Sequence, residues 1–325
     1  MHARSSSRAR LRQIVATHPL FVALVAAVPV VEVVAALQGG PGPSIASVRN
    51  PFAAIALASV FCRYIIYDRA GRTRKWIVYL TPLTWLVALA IEGRSAPPPL
   101  LWLDMLFGLG VLGTFGFLLA AASVTDAEAK SRYVEQLLNA LLFPLGASMV
   151  SFGLWSTYRI NPVYDSRIYA FEEILGFKFS ILGVKSYHLL SPLSGLATAC
   201  YTMLALAMTV VAGAQGNAKR ERQFLTATVV AGACGFALYF LCPVVGPLTA
   251  FGPLYPGALP VLSPDAPLLV APTGAPRNGM PSLHTIWALL LWFNLGGLSA
   301  RLRQGLKVFV ILTLWAVMGL DDTHW

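Results

Sequence analysis

An all-α, polytopic bundle of membrane-spanning helices is the fold class this sequence predicts, and three observations predict it. Of the 325 residues, 57% are hydrophobic and 12% charged, against about 25% charged in soluble domains. Apolar runs near the ~20 residues needed to cross a bilayer recur along the whole chain, and the mean hydropathy is +0.67. The cations sit in short segments between these runs. The net charge of +10 therefore reads as a topology signal rather than a nucleic-acid footprint, and no nucleic-acid partner is expected. Cys62, Cys200, Cys234 and Cys242 fall inside or at the ends of apolar runs without metal-ligand spacing, as small core residues do, and imply no disulfide framework.

About nine spans are expected, and the cations between them orient the chain with its N-terminus cytoplasmic. The first, 19–37, follows a basic leader from Arg4 to Arg12. It is longer than the apolar core of a signal peptide and contains Glu32, which favours a retained anchor. An outside loop with Arg49 leads to 51–67, and Arg69, Arg72, Arg74 and Lys75 then lie inside. Span 76–92 is followed by Arg94 outside, and span 100–123 by Lys130 and Arg132 inside. Span 135–157 opens the long outside loop 158–189, which carries Arg159, Arg167, Lys178 and Lys185; long loops obey the positive-inside rule poorly. Span 190–214 returns to Lys219, Arg220 and Arg222 inside, and span 224–246 leads to the outside loop 247–279 with Arg277. Spans 281–298 and 307–321 flank a cytoplasmic turn holding Arg301, Arg303 and Lys307. The first four spans, within 1–134, carry no recognisable chemistry; 135–325 carries the rest.

The chemistry concentrates in Arg277-Asn278-Gly279-Met280-Pro281-Ser282-Leu283-His284 and in the terminal His324. His284 opens the eighth expected span and His324 follows the ninth. Each leg of the intervening hairpin covers roughly 21–27 Å at 1.5 Å per residue, so the two histidines return to one face, here the extracytoplasmic one. Two histidines beside a serine and a cation suit covalent phosphoryl transfer.

This segment resembles the second signature, Pro-Ser-x-His, of the type 2 phosphatidic acid phosphatase superfamily. Its Pro-Ser-Leu-His form is similar to the inositolphosphotransferase branch, which includes inositol phosphorylceramide synthases. Tyr239-Phe-Leu-Cys-Pro243-Val-Val-Gly246-Pro247 and Ala250-Phe-Gly-Pro resemble the Pro-rich end of a span in that branch. The segment from Tyr164-Asp165 to Tyr169, Glu172 and Gly176 is similar to its acid-bearing loop, and Asp322-Thr323-His324-Trp325 looks like the opening of the third motif, His-aromatic-x-x-Asp. The resemblance covers about 135–325.

It implies a membrane-embedded lipid-phosphate phosphatase or phosphotransferase. His324 would attack phosphorus to form a phosphohistidine. His284 would protonate the departing lipid oxygen and later take a proton from water or an acceptor alcohol. Ser282 would hydrogen-bond a phosphate oxygen, with helix N-terminal amides beside it, and Arg277 would bind the phosphate through its planar fork. The implied partners are a lipid phosphate and the bilayer of a bacterial inner (plasma) membrane, with the site facing outward. No cofactor and no metal are implied.

The sequence departs from the superfamily pattern in three places. The aspartate four residues after the nucleophile has no counterpart, which implies a C-terminally truncated, weakly active or inactive product. Asp321, three residues before His324, is a possible substitute as orienter. Val317 and Met318 replace the Ser-Arg ahead of the nucleophile, and the first motif, Lys-x6-Arg-Pro, has no match; both absences also occur in the inositolphosphotransferase branch.

Each residue also has a structural reading. Ser282 serves as an ordinary helix cap, His284 caps the eighth span, and Arg277 faces headgroups. Asp165, Glu172 and Glu173 read as surface charges of an amphipathic loop helix. Lys178, Lys185 and His188 lie on the expected face for substrate phosphate. Glu32, Arg63 and Asp104 are ionisable residues in or near spans, read as snorkelling groups or structural pairs. Loop 247–279, long and rich in Pro and Gly, suits a lid or headgroup pocket. Two alternatives stand beside the enzyme: a catalytically inactive member of the same fold, and a membrane transport or binding protein whose histidines line a path.

Overall fold

The computed structural model describes residues 16–37, 51–68, 72–92, 98–176, 178–215, 218–252, 255, 265, 267–272, 277, 279 and 282–320. Regular structure among these is helical, apart from one antiparallel bridge between Val163 and Leu269. Two compact units divide the chain, Met1–Phe152 and Gly153–Trp325.

The first unit holds α1 (Pro19–Leu37), α2 (Pro51–Tyr67), α3 (Arg72–Tyr79), α4 (Thr81–Glu92), α5 (Pro98–Ser123) and most of α6 (Ala127–Thr157). Packing of α5 on α2 follows from a run of glycines one turn apart. Cβ atoms at Gly110, Gly113 and Gly116 would overlap Leu57, Phe61 and Tyr64 respectively. The two backbones therefore meet closely, as small residues allow between apolar helices. Arg63 is a buried structural partner here, its guanidinium donating to Gln136 Oε1. One turn further, Asp68 accepts from Tyr64, Thr73 and Tyr133, each at 2.9 Å. These buried and half-buried acceptors and donors satisfy one another, which an apolar surrounding requires. Asp104 Oδ2 has no hydrogen-bond partner among the described residues.

The second unit holds α7 (Asp165–Ile174), α8 (Phe179–Leu189), α9 (Ser191–Thr202), α10 (Leu204–Ala214), α11 (Ala218–Leu241), α12 (Pro247–Phe251), α13 (Leu283–Phe293), a 3-10 turn (Leu295–Gly297) and α14 (Ala300–Gly319). α14 packs against α8, α9 and α13. Its contact with α8 is close because a Cβ at Gly183 would lie 2.6 Å from the Met318 carbonyl oxygen, and one at Gly319 would overlap the Tyr187 ring. Tyr187, Ala197 and Ala316 form a buried cluster, against which Tyr201, Leu312, Trp315 and Leu320 pack.

The expected nine spans are not all recovered. Among the described residues, five helices are long and apolar enough to cross a membrane, and six if the bent pair α9–α10 is one span. Span 76–92 divides at Leu80, because Pro82 in the first turn of α4 has no N–H to continue the helix. Span 190–214 is bent by 59° at Met203, and no local residue explains the break. Spans 51–67 and 281–298 are apolar but short. Helices α6 and α11 begin several residues earlier than expected. α6 starts at Ala127, where Asp126 Oδ2 accepts from the Ala129 N–H at 2.9 Å. α11 starts at Ala218 and stops at Leu241, two residues before Pro243. The expected turn at Arg301–Lys307 lies instead at Asn294–Ser299, around Gly296 and Gly297. Arg301, Arg303 and Lys307 form the first turns of α14, where straight-chain cations are good helix formers.

Candidate active site

Three segments far apart in sequence are knotted together just ahead of α13. From the first, 157–166, the Asn161 side chain both donates to and accepts from the backbone of Ala271, at 3.2 and 3.0 Å. Val163 exchanges two backbone bonds with Leu269, and Ser166 Oγ donates to the Pro267 carbonyl at 2.8 Å. The Tyr164 N–H donates to the Pro243 carbonyl at 2.9 Å. Asp165, fully buried at the start of α7, accepts from the Val245 N–H at 3.1 Å and the Gly246 N–H at 2.9 Å. Gly246 has φ +95° and ψ 158°, a conformation open essentially to glycine. Val163, Val245 and Ala271 close a small apolar core beneath these bonds.

The third segment leads from this knot to the helix. The Gly279 N–H donates to the Val244 carbonyl at 2.8 Å. Three residues on, Ser282 is the N-cap of α13, with φ −69° and ψ 120°, and its Oγ accepts from the Thr285 N–H at 3.5 Å. That is a long bond, so the hydroxyl remains available to an incoming acceptor. The buried Tyr239 hydroxyl is hydrogen-bonded to the backbone of Leu283, and Trp287 Nε1 donates to the Thr228 carbonyl at 3.3 Å. The first turn of α13 is thus held from α11, while its remaining amides give it the positive end of a helix dipole.

His284 sits in that first turn. Its imidazole stacks on the Tyr201 ring, with centroids 3.8 Å apart and planes inclined by 19°. Trp287 meets it edge-on at 6.2 Å and 67°.

Among the residues expected from sequence, the structure brings together Ser282 and His284 at the cap of α13 and joins Arg277 to the knot that precedes them. Arg277 is fully buried. Its N–H donates to Thr157 Oγ1 at 3.1 Å, its Nε to the Ile160 carbonyl at 2.9 Å and its Nη1 to the Pro272 carbonyl at 3.1 Å. The side chain expected to face headgroups or phosphate is therefore engaged with loop carbonyls. His324 and Asp321 lie outside the described residues. Lys178 pairs with Glu173, while Lys185 and His188 are exposed.

The surface reading of Asp165 is corrected by its burial. Glu172 also has an internal task, its two carboxylate oxygens accepting from the N–H and Oγ of Ser180 at 3.1 and 2.7 Å. Sequence reasoning also missed Tyr201. A tyrosine inside an apolar run offers no local signal of the ring it will meet. Nor does the pattern of loop 247–279 reveal that residues 267–272 pair with residues 161–166.

Burial pushes the Asp165 carboxyl up to about 6, opposed by the Val245 and Gly246 N–H groups and by the Arg277 charge. The Arg277 guanidinium is pushed below its ordinary value by the same cause and pulled back by Asp165. Each charge offsets the cost of burying the other. Among the described residues, no three His, Cys, Asp or Glu side chains gather as a metal-ligand set.

Residues 166–321 match the family model of the PAP2 superfamily. No curated protein and no solved structure matches the chain.

Proposed function

From the match of residues 166–321 to the PAP2 superfamily model, we propose that this protein is a multi-pass membrane enzyme that transfers the phosphoryl group of a lipid phosphate through a phosphohistidine. The observation that carries the reading is His284, held beside the Ser282 cap and stacked on Tyr201. A second feature supports it. Leu320, the last residue described before His324, packs against the same cluster as Tyr201.

In the proposed reaction, an imidazole nitrogen of His324 forms a bond to phosphorus as the P–O bond to the lipid breaks. His284 gives its proton to the departing oxygen. Water or an alcohol then attacks the phosphohistidine, His284 recovers the proton, and His324 leaves. Ser282 and the first-turn amides of α13 receive the non-bridging oxygens. Arg277 contributes its charge to phosphate binding and, through the carbonyls it holds, shapes the approach; Asp321 would orient His324. The acceptor is water or an alcohol; the resemblance of the Pro-Ser-Leu-His form to the inositolphosphotransferase branch makes inositol one acceptor to test beside water. The cation pattern of the sequence favours a cytoplasmic N-terminus and a site on the outer face of the plasma membrane.

The test uses the full chain in lipid nanodiscs with a panel of lipid phosphates, each with and without inositol or glycerol. His284→Asn and His324→Asn are expected to lower turnover by at least about 100-fold. The wild type but not His324→Asn should yield an acid-labile phosphoprotein from a labelled substrate. Wild-type turnover in either variant would overturn the reading.

A further inference from the structure

We propose that Tyr201 is the positioning residue for His284, acting through its ring face, a role that rests on the reading of His284 as acid and base. An imidazole exchanges protons only at its two in-plane nitrogens. A ring stacked on the imidazole face restrains both tilts of the imidazole plane without itself using either nitrogen. The parallel stack at 3.8 Å and 19° has this form, and the Trp287 edge at 6.2 Å bounds the ring from a second direction.

Tyr201 can serve as a reference because the face of α9 that carries it is itself held. Tyr187 of α8 donates its hydroxyl to the Ser194 carbonyl at 2.9 Å and is hydrogen-bonded to Thr198. The Tyr187 ring meets Trp315 of α14 with centroids 5.3 Å apart, and Trp315 Nε1 donates to Ser186 Oγ at 2.9 Å. Tyr201 and Leu320 pack on the same Tyr187–Ala197–Ala316 cluster. One packed face therefore supports the His284 ring and the end of α14 at Leu320. Movement of α9 against α14 would shift the ring on which His284 stacks.

Tyr201→Phe keeps the ring and removes the hydroxyl; Tyr201→Leu and Tyr201→Met keep apolar bulk and remove the ring. The expected result is kcat within about threefold of wild type for Phe. For Leu and Met, kcat should fall about 10- to 100-fold with KM changed less than about threefold, since sub-ångström misplacement of a catalytic group acts on the chemical step. An independent readout comes from ¹³C-labelled histidine NMR. The His284 ring signal, identified by its loss in His284→Asn, should show the upfield ring-current shift of a stacked group in wild type and Phe. It should lose that shift in Leu and Met. Wild-type kcat in Leu and Met, a loss in Phe as large as in Leu, or an unshifted His284 signal in the wild type would each overturn the proposal. The NMR arm also separates it from the enzymatic reading: a His284→Asn protein with undiminished turnover removes the acid-base role, while the ring-current shift still reports whether Tyr201 holds the ring.

Discussion

Replacing Gly279 by alanine would place a Cβ 2.8 Å from the Gly246 nitrogen, 3.0 Å from Val244 Cγ1 and 3.2 Å from Gly246 Cα. The nearest of these falls about 0.6 Å short of the 3.4 Å at which ordinary contact begins. Gly246 cannot retreat easily, because its φ of +95° is confined to glycine geometry and its N–H is held by Asp165. The 279 segment must therefore move, stretching the 2.8 Å bond from its N–H to the Val244 carbonyl to about 3.4 Å, beyond a normal hydrogen bond. Overpacking costs about 1–3 kcal/mol and the weakened bond about 0.5–1.5 kcal/mol. A loss of about 1.5–4.5 kcal/mol in a unit of this size lowers Tm by about 3–18 °C. Because Gly279 lies three residues before the Ser282 cap, the same shift moves the start of α13, and a displacement approaching 1 Å can cost about 100-fold in turnover. The assay is thermal unfolding in detergent together with initial rates on phosphatidate. Gly305→Ala serves as the control, since a Cβ there meets nothing within 4 Å. Gly279→Ala with Tm within about 1 °C and turnover within about twofold of the control would refute the account of how the knot sets the helix start.

Asp165→Asn is expected to flatten the dependence of stability on pH. The folded state holds the Asp165 proton more tightly than the ordinary value of 3.8, with its carboxyl raised to about 6. This contribution is complete below about pH 4 and lost as pH rises through 6, a difference on the order of 3 kcal/mol. Parallel Tm curves for wild type and variant between pH 4 and 7 would contradict it. Arg277→Lys retains the charge but not the fork, and one ammonium group cannot replace both Nε to Ile160 and Nη1 to Pro272. A buried carbonyl left without its donor costs about 1–3 kcal/mol. A Tm equal to that of wild type would show that charge alone matters at this position.

The knot explains why the site was only partly legible beforehand. Ser282 and His284 could be read because their spacing and the apolar run behind them are local, and a helix cap needs only its own first turn. Asp165 could not, because its burial depends on N–H groups 80 and 81 residues away. Arg277 was visible as a cation near His284, yet its engagement with the carbonyls of Ile160 and Pro272 depends on how two loops fold back. The span count failed for a related reason. Hydropathy averages over a window and does not register a missing proline N–H at 82 or the bend at Met203.

By itself, the sequence determined the helical class, the membrane environment and the cap that carries His284. Each of these depends on composition, apolar run length or the chemistry of adjacent residues, which the linear order contains. Only the tertiary structure decided that Asp165 and Arg277 are interior partners of a loop knot and that Tyr201 is the ring on which His284 rests. Contacts between residues separated by 80 or more positions form when helices pack and loops close. Their energies depend on burial and mutual orientation, which no local pattern encodes.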